Sequence, residues 1–110
     1  MPVTAVVSIL HRVSGIILFL SIPYMVWLLS QSVTSQEGFN HVLDIFSSDG
    51  GKLINIVLLW AMVHHFFAGI RFFLLDMDIA ISREATIKMA WLVQFLVLVT
   101  VILLIYKVVL

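Results

Sequence analysis

Three long apolar runs and two polar segments alternate along the chain. The apolar runs cover residues 13–29, 53–75 and 89–110. Each is close to the ~20 residues that a helix needs to cross a hydrocarbon core of ~30 Å. Only helices satisfy every backbone group within such a segment. The pattern therefore predicts an all-α integral membrane protein with three transmembrane helices, forming one membrane domain over residues 1–110.

The polar segments and one proline add detail to this prediction. Residues 30–51 hold a short amphipathic piece, which we expect to lie along the membrane interface. Its apolar side chains are Phe39, Val42, Leu43 and Phe46. The segment ends in Asp49-Gly50-Gly51, which predicts a turn, and residues 76–88 form the second predicted loop. Pro23 lies within the first run, where it predicts a kink rather than a break.

Composition supports a lipid environment. The chain has 110 residues, of which 63% are hydrophobic and 11% are charged, whereas soluble domains are about 25% charged. The formal net charge is zero, which gives no basis for nucleic-acid binding. Cysteine is absent, which excludes disulfides, thiol catalysis and iron–sulfur ligation by this chain. The first residues lack a basic segment and a small-residue cleavage site, so we expect no cleaved signal peptide.

Basic residues near the span ends predict the orientation. The amino end and the second loop share one side of the membrane if all three runs cross it. That side carries Arg12, Arg71, Arg83 and Lys88, and the other carries Lys52 and Lys107. Because short cytoplasmic loops are enriched in lysine and arginine, we expect the amino terminus to face the cytoplasm, or the matrix in a mitochondrion.

The second run carries ionisable groups that are costly in a membrane and usually mark a functional site. On a helix, Ala61, His65 and Gly69 lie one turn apart on one face. The small neighbours leave room for a flat, bulky group beside the imidazole, and haem is the flat group that best suits a histidine in an apolar slot. We therefore expect His65 to be an axial ligand of haem iron. The adjacent His64 lies about 100° around the helix and is expected to pack at a helix interface.

The start of the first run presents a second polar face. Ser8, His11, Arg12 and Gly15 recur at helical spacing, and an antiparallel crossing brings them to the membrane depth of Arg71. We expect His11 and Arg12 to pair with haem carboxylates. A hydroxyl and a cation beside them suit a quinone head group, since they stabilise charge developing on its carbonyl oxygens.

Three further residues complete this predicted site. Asp76 lies near water at the end of the second run and is suited to supply protons to a quinone. Gly69 and Arg71 are assigned to the haem environment, although Arg71 suits an anchoring role at the interface equally well. No second histidine lies at a matching depth, so the other haem ligand must come from a partner chain.

Two motifs in this order resemble a known family. Ser8-x-x-His11-Arg12-x-Ser14, followed by His65-x-x-x-Gly69-Ile70-Arg71-Phe72, resembles the cytochrome b subunit of succinate dehydrogenase (complex II), the larger of its two membrane anchors. The resemblance covers both motifs, their order, the three spans and the loop lengths. It implies an anchor subunit in a heteromeric helical bundle, part of a succinate:quinone oxidoreductase and not catalytic alone. Such a subunit helps to pass electrons from an iron–sulfur subunit to ubiquinone.

The resemblance also implies roles for individual residues. The residue matching His65 is an axial ligand of haem b, and the partner anchor supplies the second. Ser8 and Arg12 match residues that line the ubiquinone pocket. His11 matches a residue by the haem propionates, and Asp76 one near the quinone and the proton path. The flavoprotein and iron–sulfur subunits dock on the same side. The implied location is the bacterial inner membrane with a cytoplasmic amino terminus, or the mitochondrial inner membrane in a eukaryote.

The sequence departs from this family at several positions and leaves two alternatives open. Phe72 stands where many relatives carry histidine, and Asp78 replaces a small residue. The family's segment ahead of the serine motif is missing, so we expect an amino end that is shorter or is supplied by the partner. One alternative is a fumarate reductase anchor, which runs towards quinol oxidation. The other is a non-redox assembly or transport subunit, in which the polar residues make helix-packing contacts and bind no haem.

Overall fold

A computed structural model describes residues 2–79 and 81–109, without the side chain of Val109. The helices are α1 (Val3–Thr34), α2 (Gln36–Ser47), α3 (Asp49–Asp76) and α4 (Arg83–Leu104), and a π-helical turn (Ile105–Val109) continues α4. Three of these helices are long and apolar enough to cross a membrane, and none of the described residues forms a strand. The prediction of an all-α protein with three membrane spans is confirmed.

The helices extend beyond the predicted spans. α1 begins at Val3 rather than at residue 13 and continues through Pro23 to Thr34 without a break. Its 32 residues correspond to about 48 Å at 1.5 Å per residue, which exceeds a hydrocarbon core of ~30 Å. The hydropathy pattern marked only the most apolar part of the helix. The last predicted span residue, Leu110, is outside the described residues.

Serine residues are the N-caps of α2, α3 and α4. Ser35 Oγ accepts a hydrogen bond from the Gly38 amide at the start of α2, and Ser48 does the same for Gly51 at the start of α3. These caps satisfy amides that have no partner within the helix. The amphipathic helix expected within residues 30–51 is confirmed as α2. The turn expected at residues 49–51 was wrong, because the chain turns at Ser48 and those three residues already form the first turn of α3.

The second connection is shorter than predicted and ends α3 in a defined way. It spans residues 77–82, because α4 begins at Arg83. The Ile79 amide bonds to the Leu74 carbonyl and the Asp78 amide to the Leu75 carbonyl. This pair of bonds forms a Schellman motif, in which the residue that follows the C-cap of the helix has left-handed backbone angles. Asp78 occupies that position with φ 59°, a conformation that glycine adopts without strain.

α3 packs against both α1 and α4, and α1 also contacts α4. α1 and α3 are antiparallel, since Gly15 approaches His65 while His11 contacts Phe72. Small and β-branched side chains form the core, which allows the helix backbones to come close together. The core residues are Val7, Val63, Ala68, Ala90, Val93 and Val97. The outer faces of the long helices are apolar and exposed, as a lipid solvent requires.

Candidate functional site

The site is built around a stacked pair of histidine rings on two different helices. His11 of α1 and His65 of α3 have ring centroids 4.1 Å apart and planes 8° from parallel. Phe72, two turns along α3 from His65, contacts the His11 ring edge-on at 5.0 Å. The predicted layer shared by the start of α1 and the end of α3 is therefore present. The direct stacking was not predicted, because it depends on the lateral distance between the two helices.

Hydrogen bonds to acceptors on α1 determine which ring nitrogen of His65 carries the proton. Nδ1 lies 3.2 Å from the main-chain oxygen of His11 and 3.3 Å from Ser14 Oγ. Ser14 Oγ itself donates to the same His11 oxygen at 2.8 Å. A carbonyl oxygen only accepts, so Nδ1 must carry the proton in order to bond to it. In a neutral imidazole this leaves an unprotonated Nε2 with a free lone pair.

Two glycines lie beside the histidine rings, and one of them allows a close approach. A Cβ added at Gly15 would lie 3.0 Å from Cε1 of His65 and 3.5 Å from its Nδ1. The first of these distances is shorter than the 3.5–4.0 Å at which non-bonded carbon atoms attract each other. A Cβ at Gly69 would lie 3.7 Å from Nε2 of His11, an ordinary contact. The absence of a side chain at Gly15 is thus what lets the His65 ring lie against α1.

An open groove runs beside the two rings on the outer surface of the bundle. It has a volume of about 450 Å³, within the range of small-molecule and cofactor sites. Its lining residues are His11, Arg12, Gly15, Ile16, Phe19, Leu20 and His65. The lining is apolar apart from two imidazoles and one guanidinium. The groove therefore combines a wall suited to a flat apolar ligand with a cation suited to an acidic group.

His64 points away from this groove. Its side chain is fully buried, with 0% exposed, and its ring lies 5.4 Å from that of Trp60. Both ring nitrogens are buried, and neither has a hydrogen-bond partner among the described residues. The structure thus separates the two adjacent histidines, with His65 at the groove and His64 inside the bundle.

Arg71 lies on the same side of α3 as His64. It is 4% exposed and donates through Nη2 to the main-chain oxygen of Thr86, 3.4 Å away at the start of α4. Its Nε is buried and has no partner within residues 2–79 and 81–109. Arg71 does not line the groove beside His65. The structure therefore shows it joining α3 to α4, outside the groove, with its guanidinium carbon 5.7 Å from the centre of the Phe72 ring.

The other predicted site residues lie at the same end of the bundle. Ser8 is half-buried on α1, one turn before His11, and Arg12 is exposed. Asp76 is exposed and is the last residue of α3. Within the part of the chain that the structure describes, neither Arg12 nor Asp76 forms an ion pair. The charges of both side chains are therefore available to a ligand or a partner.

Sequence reasoning gave no role to Ser14. It is fully buried, with 0% exposed, and supplies the only side-chain hydroxyl that the described structure places against His65. A signal was present in the sequence, because Ser14 follows His11 by three residues and so lies on the same helical face.

These features define a class of protein: a multi-pass helical membrane subunit with a histidine-lined groove on its outer face. Comparison with known families matches residues 1–105 to the succinate dehydrogenase/fumarate reductase transmembrane subunit family. The chain belongs to that family.

A curated relative points in the same direction. The succinate dehydrogenase cytochrome b556 subunit of Coxiella burnetii (strain RSA 493 / Nine Mile phase I) is 40% identical over 77 residues, which are 69% of this chain. The match spans 62% of the length of that relative. The resemblance seen in the two sequence motifs is confirmed at the level of the family.

Proposed function

We propose that this chain is the haem b-binding membrane anchor of a succinate:quinone oxidoreductase. It would help to form the ubiquinone-reduction site and receive electrons from an iron–sulfur subunit. The chain would not be catalytic alone. The observation that carries the proposal is the state of His65, whose Nδ1 is bonded to α1 and whose ring lines an open groove. The membership in the family supports the same conclusion.

The residues present fit a haem. Haem iron is commonly held by a neutral histidine, and the bonds at Nδ1 would leave Nε2 of His65 to hold it. Arg12, with His11 beside it, lines the groove and would provide a cation for the haem carboxylates. Gly69 lies beside the His11 ring, where a Cβ would make an ordinary contact with Nε2, and belongs to the proposed haem environment. When bound, haem would store and release one electron close to the quinone.

The proposed quinone site involves Ser8 and Arg12. The hydroxyl and the guanidinium lie four residues apart on one face of α1, so both can reach one ligand. Donors aimed at the carbonyl oxygens would stabilise the charge that develops there during reduction. Asp76 is exposed at the same end of the bundle and could take up protons from water and deliver them to the reduced quinone.

The proposed partners are a second membrane anchor and the two subunits that would deliver electrons to it. The His11 ring is stacked face to face on that of His65 and so cannot approach an iron from the opposite side. The second axial ligand would therefore come from another small anchor subunit. Flavoprotein and iron–sulfur subunits would dock at the end that carries Arg12 and Asp76. The proposed location is the bacterial inner membrane with a cytoplasmic amino terminus. A fumarate reductase anchor is the second candidate, since the family description covers both enzymes. The comparisons give no support to the non-redox alternative.

The haem ligand is tested by visible spectra of the purified complex that contains this chain. Dithionite-reduced minus oxidised spectra are compared for wild type, His65→Ala and His64→Leu. We expect the haem b bands to disappear in His65→Ala and to persist in His64→Leu, a variant of similar volume that removes an imidazole facing the bundle interior. Haem bands that survive His65→Ala would overturn the assignment of the ligand.

The quinone site is tested by succinate-dependent quinone reduction in the same preparations. We expect Arg12→Leu to lower the rate about 100-fold, the scale seen when one donor to a developing oxyanion is removed. Arg83→Leu is the matched control, because Arg83 is an exposed arginine that begins α4 and does not line the groove. Equal rates in the two variants would remove Arg12 from the quinone site.

A further inference from the structure

Ser14 occupies a buried position at which its hydroxyl bridges two groups of the candidate site. It donates to the main-chain oxygen of His11 at 2.8 Å, and its oxygen lies 3.3 Å from Nδ1 of His65. Because its single proton is directed at the carbonyl, the Ser14 oxygen can only accept from Nδ1. The proton on Nδ1 is thus shared between two acceptors on α1, the hydroxyl and the carbonyl.

We infer that Ser14, together with the carbonyl of His11, is a positioning group for His65. The two acceptors hold the Nδ1 proton and the plane of the ring, so that Nε2 is presented to the groove with its lone pair free. This inference rests on the proposed function, since it gives Nε2 an iron to bind. Ser14 acts through His65 and does not itself line the groove.

The physical consequence is a change in the ligand's strength. A hydrogen-bond acceptor at the distal nitrogen fixes the tautomer of a ligating histidine and raises its basicity. A more basic ligand stabilises the oxidised iron relative to the reduced iron, and second-shell bonds of this kind tune haem potentials. The Ser14 hydroxyl should therefore hold the haem more tightly and keep its midpoint potential lower than the carbonyl alone would.

The same helix offers a matched control. Ser21 is also buried, at 8% exposed, and its hydroxyl donates to the carbonyl three residues earlier, that of Leu18, at 2.7 Å. Ser21 makes no hydrogen bond with a histidine in the described structure. Replacing Ser21 by alanine thus removes the same local bond within α1 and leaves the surroundings of His65 unchanged.

The experiment uses the purified complex with Ser14→Ala, Ser21→Ala and Ser14→Thr, which keeps a hydroxyl. Haem content after extensive washing, the midpoint potential from a redox titration, and the EPR g values of the oxidised haem are measured. For Ser14→Ala we expect the affinity for haem to fall about 10-fold, the lower end of the range for lost outer-sphere partners, so that less haem survives the washing. We also expect the midpoint potential of the haem to rise. The EPR g values should shift, because they depend on the orientation of the imidazole planes.

The outcomes separate this inference from the proposed function. Ser21→Ala should match wild type in haem content, midpoint potential and g values, and Ser14→Thr should have the midpoint potential of wild type. Should Ser14→Ala retain haem with the potential and g values of Ser21→Ala, the positioning role is refuted while the ligand assignment stands. If His65→Ala keeps its haem in the same preparation, both are refuted. If Ser14→Thr fails to assemble because of its added methyl group, the comparison of the two alanine variants decides.

Discussion

A single methyl group at Gly15 should separate the His65 ring from its partners on α1. The Cβ of alanine would lie 3.0 Å from Cε1 of His65, whereas carbon atoms attract at about 3.5–4.0 Å. The ring must therefore retreat from α1 by about 0.5 Å. Its Nδ1 already lies 3.2 Å from the His11 carbonyl and 3.3 Å from Ser14 Oγ. The retreat takes both distances beyond about 3.5 Å, where a hydrogen bond is no longer present.

The effect of Gly15→Ala on stability should be small, because two terms oppose each other. Extra volume in a packed site costs about 1–3 kcal/mol, while alanine is favoured over glycine within a helix by about 1 kcal/mol. The net cost is about 0–2 kcal/mol, so the complex should still assemble. The loss should appear instead in the haem, because both bonds that orient His65 are broken.

The assay is the reduced-minus-oxidised spectrum of purified complex, quantified per mole of protein. We expect Gly15→Ala to lose most of its haem b signal. The control is Gly50→Ala, since a Cβ at Gly50 meets nothing within 4 Å and that variant should keep the wild-type spectrum. A Gly15→Ala complex with full haem content and an unchanged spectrum would show that the close approach of Gly15 to His65 has no bearing on ligation.

Two further predictions concern the connections between the helices. Gly51→Ala should destabilise the complex by about 1–3 kcal/mol, because the added Cβ would run into the main-chain carbonyl of Ile45. The thermal midpoint of this variant should fall below that of Gly50→Ala, and equal midpoints would contradict the packing argument. Asp78→Val should cost about 1 kcal/mol, since β-branched residues are strained at positive φ, whereas Asp78→Gly should melt at or above the wild-type temperature. The strain argument fails if the valine and glycine variants melt together.

The sequence was sufficient to predict the number of spans and the polar layer shared by the start of α1 and the end of α3, because both follow from hydropathy and helical periodicity. Helix ends were harder to predict, since backbone hydrogen bonding continues through residues 3–12 and 30–34 although these are more polar. The turn at residues 49–51 was misplaced because two glycines usually signal a turn. Here Gly51 is needed inside α3, because a Cβ at this position would run into the main-chain carbonyl of Ile45.

The site was predictable in its composition but not in its contacts. Stacking of His11 on His65 and the bond from Ser14 depend on the spacing between α1 and α3, which no local pattern encodes. Arg71 is a different case. It follows His64 by seven residues, about two helical turns, so periodicity already places it on the His64 side of α3. Contact of Arg71 with haem stays a prediction, and the described structure shows its guanidinium bonded to the start of α4.

The two neighbouring histidines differ in what ligation would require of the fold. His64 has 0% of its surface exposed and lies against Trp60, which packs on the core. A ligand could reach its nitrogens only if the bundle opened, exposing core side chains that each contribute about 1.5–3 kcal/mol by burial. His65 needs no such opening, because its ring already lines the groove and its Nδ1 is already bonded. A rotation of about 100° along one helix thus places one imidazole, already oriented by its bonds to α1, at the groove and the other inside the bundle.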